Sequence, residues 1–352
     1  MTGRGLDQVL PHSCPPHLHE RYTTSALDYV ALAERQNGPI PRPVNFSYVW
    51  GEALEVLAEL KPDARIINLE TSVTLSEAAE LKGINYRMHP LNAPVVAAAG
   101  IDCCVLANNH VLDWGEAGLL ETLAVLKEAG IRVAGAGEDR DAAEAPAVID
   151  LDKGRVLVFA FGAQDSGIPS TWAAGTRQPG VNLLEDFSDA AADAIAEAVR
   201  NIKRRGDLAL ASIHWGGNWG FEIPDAHRRF AHALIERAAI DAVHGHSSHH
   251  PKAIELYRGR PIFYGCGDFL DDYEGIRGYE QYHDDFVLMY FATFDMSTGH
   301  MRRLEMTPLQ IRNFRLQRAP VYGRTWLRDT LDRECQRFGH HVTLREDVLV
   351  LE

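Results

Sequence analysis

Short runs of Val, Ile and Leu alternate along the chain with longer segments in which apolar residues recur every three or four positions. Runs of the first kind suit buried strands and segments of the second kind suit amphipathic helices, so the pattern predicts a layered α/β protein. The clearest predicted strands are RIINL (65–69), CCVLA (103–107), RVLVFAF (155–161), LALASI (208–213) and IDAV (240–243). Helices are predicted over 115–129, where Leu119, Leu123 and Leu126 form a stripe closed by Gly130, and over 225–239, where Phe230, Leu234 and Ala238 repeat behind Pro224. Residues 286–294 and 301–315 read as hairpin-like strands, and the first 50 residues, rich in Pro and His, as a surface wrap. No repeat or linker divides the chain, which predicts one domain over 1–352, with a core of about 1–315 and a C-terminal extension over 316–352.

Charge narrows the partners. A net charge of −14, with no dense Lys/Arg run, disfavours nucleic acid and anionic lipid. The five cysteines lack CxxC spacing and fit core positions in a reducing compartment. No apolar run reaches the roughly 18 residues of a membrane span, and MTGRGLDQVLPHS has no apolar leader core. As given, the chain is expected in the cytoplasm; an upstream segment would make it membrane-associated or exported.

Four predicted strands are followed at once by groups suited to metal or proton chemistry. RIINL is followed by Glu70, CCVLA by Asn108, Asn109 and His110, LALASI by His214, and IDAV by HGHSSHH, which holds His244, His246, His249 and His250. In α/β sheets ligands gather at the carboxyl ends of strands, so these distant groups are expected to converge. Imidazole, carboxylate and amide donors suit Zn, Mn, Fe or Co, and the lack of thiolate argues for an open hydrolytic centre rather than a closed structural zinc. Each group has a plainer reading: His214 as a loop histidine, Glu70 as a helix cap, the Asn pair as a turn. In HGHSSHH, Gly245 permits a tight turn that aims two imidazoles at one point, while His250 before Pro251 reads as a surface residue.

NLETSVT (68–74), YRMHP (86–90), LANNHVLDWG (106–115), SIHWGG (212–217) and VHGHSSHHPKAIELYRGRPIFYGCGDF (243–269) resemble, in order and spacing, the CapA family of bacterial proteins linked to poly-gamma-glutamate capsule synthesis. That family is related to calcineurin-like metallophosphoesterases. The resemblance implies an αββα sandwich of two packed mixed sheets flanked by helices, with one or two divalent transition metals at one edge. It assigns Glu70 as a bridging carboxylate, Asn109, His214 and His246 as ligands of one metal, His249 as a ligand of the other, and His110 as the catalytic histidine. His244 and His250 become supporting or surface residues. The family pattern opens on a strand ending in Gly-Asp just before a stretch like MTGRGLDQVLP; a chain that starts at that stretch is expected to lack one ligand. Asn218 stands where many relatives carry Glu, and Asp268 where they carry Asn.

On this reading Asp113 or a backbone carbonyl holds His110 for transition-state or leaving-group work. Arg87 is a candidate grip for a carboxylate or phosphate, with a surface loop residue as the alternative. Trp215 and Trp219 are candidate apolar walls, with core packing as the alternative. The expected substrate is an amide-linked acidic polymer or a phosphoester, with a capsule synthetase as possible partner. The rival reading is a non-catalytic accessory subunit that binds polymer or a synthetase on the same scaffold.

Overall fold

The computed structural model describes residues 1–352. Strand alternation builds its central layers. In the strand Arg155–Ala163, Val156, Val158 and Ala160 point to one side, while Leu157, Phe159 and Phe161 point to the other. The first set packs against Cys103, Val105 and Ala107, and so joins two sheets face to face. The second set packs against Ala192, Ile195 and Val199 of the helix Asp189–Ile202 and against Phe230 and Leu234 of the helix Asp225–Arg237. Period-2 side-chain placement thus lets one strand serve both an intersheet core and a helix–sheet core.

The smaller sheet is parallel, with Cys103–Val105 between Ile66–Asn68 and Arg132–Ala134. Its other face carries Cys104 and Leu106, which share a cluster with Leu119 and Leu126 of the helix Gly115–Glu128. In the larger sheet Leu183–Leu184, Arg155–Ala163, Leu208–His214, Ala242–His246 and Arg260–Phe263 run parallel, and Ala147–Asp150 and Ile254–Tyr257 are added antiparallel. The layer order is therefore helix, sheet, sheet, helix. A third, antiparallel sheet combines Phe286–Asp295, His300–Arg312, Arg315–Arg318, Val342–Arg345 and Val348–Leu351. Leu327, Leu331 and Cys335 of the helix Val321–Cys335 cover it together with Phe286, Leu304 and Leu349, so residues 316–352 are woven into a core. No helix is long and apolar enough to cross a membrane.

Three expectations change. The first 50 residues do not wrap the surface: Leu6, Val9, Leu10, Val30, Val49 and Trp50 belong to the largest core cluster. Their polar neighbours are buried because they satisfy one another, with Arg4 donating to Asp272 at 2.6 and 2.9 Å and to Glu20 at 3.0 Å. The strand expected over 301–315 ends at Arg312, where Asn313 and Phe314 turn with φ of 55° and 54°. The strand expected over 240–243 instead spans Ala242–His246, so His244 and His246 lie within a strand and not in a loop beyond it.

Candidate functional site

Parallel pairing decides how the polar groups meet. Asn68 pairs with Val105, which sets the loops after Ile66–Asn68 and Cys103–Val105 side by side. Asn108 fastens them: its amide donates to Asn68 Oδ1 at 2.9 Å and to the Leu69 carbonyl at 3.0 Å, and its Oδ1 accepts from His110 N at 3.1 Å. Glu70 is buried, with Oε2 accepting from Asn68 Nδ2 at 2.9 Å. Burial raises its pKa to about 7, against the pull of His249. The side-chain oxygen of Asn109 is buried and has no hydrogen-bond partner.

His214 pairs with His246 across adjacent strands of the larger sheet. Their Nδ1 atoms are 2.8 Å apart, one donating and the other accepting. The Ser212 hydroxyl lies 3.0 Å from His246 Nε2 and 2.8 Å from His244 Nδ1. Burial drives His214 and His246 well below the ordinary imidazole pKa. His214 Nε2 is buried without a partner and stands 3.8 Å from Glu70 Oε1, which brings the two sheets' strand ends to one place.

His110 Nδ1 lies 2.7 Å from Asp113 Oδ2. Asp113 also accepts from Lys82 Nζ at 2.7 Å and from Tyr86 N at 2.6 Å. Burial, opposed by Asp113, lowers the His110 pKa to about 4, so the ring is neutral near pH 7 with its proton on the nitrogen facing the carboxylate. His249 behaves oppositely. Burial works against its charge, but Asp268, whose Oδ2 is 2.8 Å from Nδ1, outweighs that cost with help from Glu70 and raises the pKa.

The structure thus brings Glu70 to His214 and His214 to His246, lets the fields of His110 and His249 reach His214, places Asp113 behind His110, and leaves Asn109, just before His110, with an unpartnered amide oxygen. Two other residues nominated from sequence are engaged inside the fold. Arg87 is buried rather than on the surface, its guanidinium 3.9 Å from the Trp114 ring and 2.8 Å from the Ser76 carbonyl. Trp215 is buried and packs parallel to His227 at 4.7 Å while donating to the Tyr264 carbonyl at 3.0 Å. Trp219 is half-buried, stacks on Tyr279 at 4.0 Å and lies 5.3 Å from His249. His250 is not a surface residue: it is 1% exposed and stacks on Tyr282 at 4.6 Å.

Sequence reasoning missed Lys82 and Ser212 and saw Asp268 only as a departure from the family pattern. Lys82 stands on an irregular stretch with no period to mark it. Ser212 carried a signal, since it lies two residues before His214 and so on the same strand face. A cavity of about 780 Å³, lined among others by Asn37, Asp271, Tyr273, Glu274 and Asp284, adjoins His249, whose ring is 5.2 Å from that of Tyr273.

Comparison with known proteins agrees with the motif pattern. Residues 1–273 match the family described as bacterial capsule synthesis protein PGA_cap. A Mycobacterium tuberculosis protein (strain H37Rv) named as a probable polyglutamine synthesis accessory protein is 48% identical over 99% of this chain and 93% of its own length. The Bacillus subtilis PGA biosynthesis protein CapA is 29% identical over 68% of this chain and 58% of its own. The Bacillus anthracis capsule biosynthesis protein CapA is 27% identical over 65% and 53%. With the family match covering most of its length and the mycobacterial relative nearly all of it, the chain belongs to the bacterial capsule synthesis protein PGA_cap family.

Proposed function

We propose that the chain is a metal-dependent hydrolase or transferase of capsule polymer synthesis, built on a metallophosphoesterase-like αββα scaffold and acting on an amide-linked acidic polymer or a phosphoester. The observation that carries the reading is His214 Nε2, buried, unpartnered and 3.8 Å from the buried Glu70 carboxylate. Asn109 Oδ1 is a second orphan in the same set. Leaving a buried polar atom unpaired costs about 1–3 kcal/mol, and a cation held by Glu70, Asn109 and His214 would recover that cost for both. The donor chemistry fits Zn, Mn, Fe or Co.

No three His, Cys, Asp or Glu side chains are yet close enough to hold an ion. The reason is visible in His246, whose Nδ1 faces His214 and whose Nε2 faces Ser212. For His246 to serve as a ligand, one of these bonds must be exchanged for the ion. His249, held by Asp268, is the donor placed for a second ion, its carboxylate partner fixing the ring. When bound, such ions supply Lewis acidity and an acidified water. The chain's own contribution is His110: neutral, oriented by Asp113 through Nδ1, and left with a bare Nε2 able to accept a proton from the attacking water or a substrate O–H. Lys82 and Tyr86 N fix Asp113 in turn.

A second reading, an accessory subunit working with a synthetase, is supported by the name of the mycobacterial relative. His110→Ala separates the two. Protein loaded with Mn²⁺ or Zn²⁺ is assayed on a gamma-glutamyl oligomer and on an aryl phosphate, with metal counted by elemental analysis. The enzyme reading expects turnover to fall about 10²–10⁴-fold at unchanged metal content. If the wild-type protein turns over neither substrate while capsule output still depends on it, and His110→Ala leaves that output intact, the accessory reading replaces it.

A further inference from the structure

The bonds around His246 are coupled, and the coupling decides which of them an ion can displace. In the larger sheet Ser212 pairs with His244 and His214 with His246, so period-2 placement puts all four side chains on one face. Ser212 is fully buried. Its hydroxyl lies 3.0 Å from His246 Nε2 and 2.8 Å from His244 Nδ1, and a hydroxyl has a single proton to donate. It therefore donates to one ring and accepts from the other. Burial holds all three imidazoles below the ordinary pKa, His244 at about 4, and a neutral ring carries one N–H. The 2.8 Å contact between His214 Nδ1 and His246 Nδ1 likewise holds one proton. Fixing any one of these protons fixes the rest.

Only two arrangements satisfy these contacts. In the first, His214 Nδ1–H donates to His246 Nδ1, His246 Nε2–H donates to Ser212, and the Ser212 O–H donates to His244 Nδ1. In the second every donor is reversed, and the His214 proton moves to Nε2. That atom is buried and unpartnered, with Glu70 Oε1 3.8 Å away, beyond hydrogen-bond reach. The second arrangement thus buries an unmade N–H, a rarer defect than the unused lone pair left by the first. The first also suits the proposed ligands. It leaves His214 Nε2 unprotonated on the side of Glu70, and it leaves His246 Nδ1 unprotonated on the side of His214.

We propose that Ser212, with His244 as its acceptor, is a positioning residue that holds the His246 proton on Nε2, so that an ion displaces the bond to His214 and not the bond to Ser212. The proposal rests on the metal reading above for the ion, whereas the proton placement is measurable without one. Histidine tautomers are read from long-range ¹⁵N–¹H correlations of protein labelled with ¹⁵N-histidine, metal-free and with Zn²⁺, and His214→Gln and His246→Gln assign the signals. Calorimetry gives the Zn²⁺ affinity. Wild type is expected to show Nε2–H at His246 in both forms, and Nδ1–H at His214 when metal-free. Ser212→Ala leaves Nε2 without an acceptor, so the His246 proton is expected to move to Nδ1 and Zn²⁺ affinity to fall about 10–100-fold. His244→Leu frees the Ser212 hydroxyl to donate to His246 and should do the same. His244→Asn retains an acceptor near the Nδ1 position and should restore both readouts. Lost affinity with the tautomer unchanged would make Ser212 merely structural and overturn the proposal, as would Nδ1–H at His246 in wild type. Nε2–H in wild type, lost in Ser212→Ala, with no Zn²⁺ bound by either would sink the metal reading and leave the role of Ser212 standing. Zn²⁺ bound equally by wild type, Ser212→Ala and His244→Leu would do the reverse.

Discussion

His250 sits against the ring of Tyr282, 4.6 Å away and nearly parallel, and edge-on to Phe221 at 4.5 Å. Its Nδ1 is 3.1 Å from the Pro251 carbonyl, and Nε2 has no partner. Burial lowers its pKa to about 4, below the ordinary imidazole value of about 6.5. The sign of the consequence follows directly. Between those two values the unfolded chain takes up a proton that the folded chain refuses, so this residue's stability is intact above about pH 6.5 and is lost as pH falls toward 4. His250→Phe keeps the aromatic packing and removes the base. We expect its denaturant midpoint to exceed the wild-type midpoint at pH 5 by more than it does at pH 7.5; an equal difference at both values would show that His250 is not held neutral. The same residue marks a limit of legibility. A histidine before proline reads as surface, and nothing local reveals that Phe221 and Tyr282, 29 and 32 residues away in sequence, close over it. Glu70, Asn109, His110 and His214 could be nominated from sequence because each ends, or follows within three residues, a run apolar enough to be recognised as a strand. Asp268 and Lys82 act through partners on other segments, a relation that spacing does not encode.

The strand Ala242–His246 shows why a glycine stands between two histidines. A methyl group on Gly245 would lie 2.4 Å from the Phe263 carbonyl, 2.8 Å from the Tyr264 carbonyl and 2.7 Å from Trp215 Nε1. The need is therefore for close approach of the neighbouring backbone and the Trp215 indole, rather than for the tight turn read from HGHSSHH. Gly245→Ala is expected to push the strand off its neighbours, cost about 1–3 kcal/mol, and disturb the pairing of His214 with His246. Urea unfolding should show a lower midpoint for Gly245→Ala, while Gly217→Ala, with no atom near its added methyl, stays at wild type. Equal midpoints for the two variants would refute the close-packing argument. Long elements of this kind were readable in outline because five or more residues suffice to show a period. The pairs Ser72–Val73 with Arg87–Met88 and Ala136–Gly137 with Gly180–Val181 were not, because two residues display no alternation. The buried N-terminal stretch was misread for a different reason: its Arg4, Asp7 and Glu20 look solvent-bound until Asp272 and Asn92 are seen to satisfy the first two.

At the scale of the molecule, the proposed ligands come from both central sheets: Glu70 and Asn109 from loops of the smaller, His214 and His246 from strands of the larger. An ion held among them would tie together two layers otherwise joined by apolar contacts such as Val105, Ala107, Val158 and Ala160. Because the unfolded chain has no such arrangement, binding must add to global stability, by about 2.7 kcal/mol when free metal is a hundredfold above Kd. The third sheet supplies the internal control. Leu331→Ala opens a cavity among Phe286, Leu304 and Leu349 and is expected to cost about 2–5 kcal/mol, yet it touches no ligand. Thermal unfolding with excess Mn²⁺ or Zn²⁺, then with chelator, should therefore show a metal-dependent rise in Tm for wild type, the same rise from a lower starting point for Leu331→Ala, and none for His246→Ala. Should His246→Ala keep the full rise, the metal binds elsewhere; should wild type show none, Glu70, Asn109 and the two histidines form a buried polar network that holds no ion, and the accessory reading gains by that result.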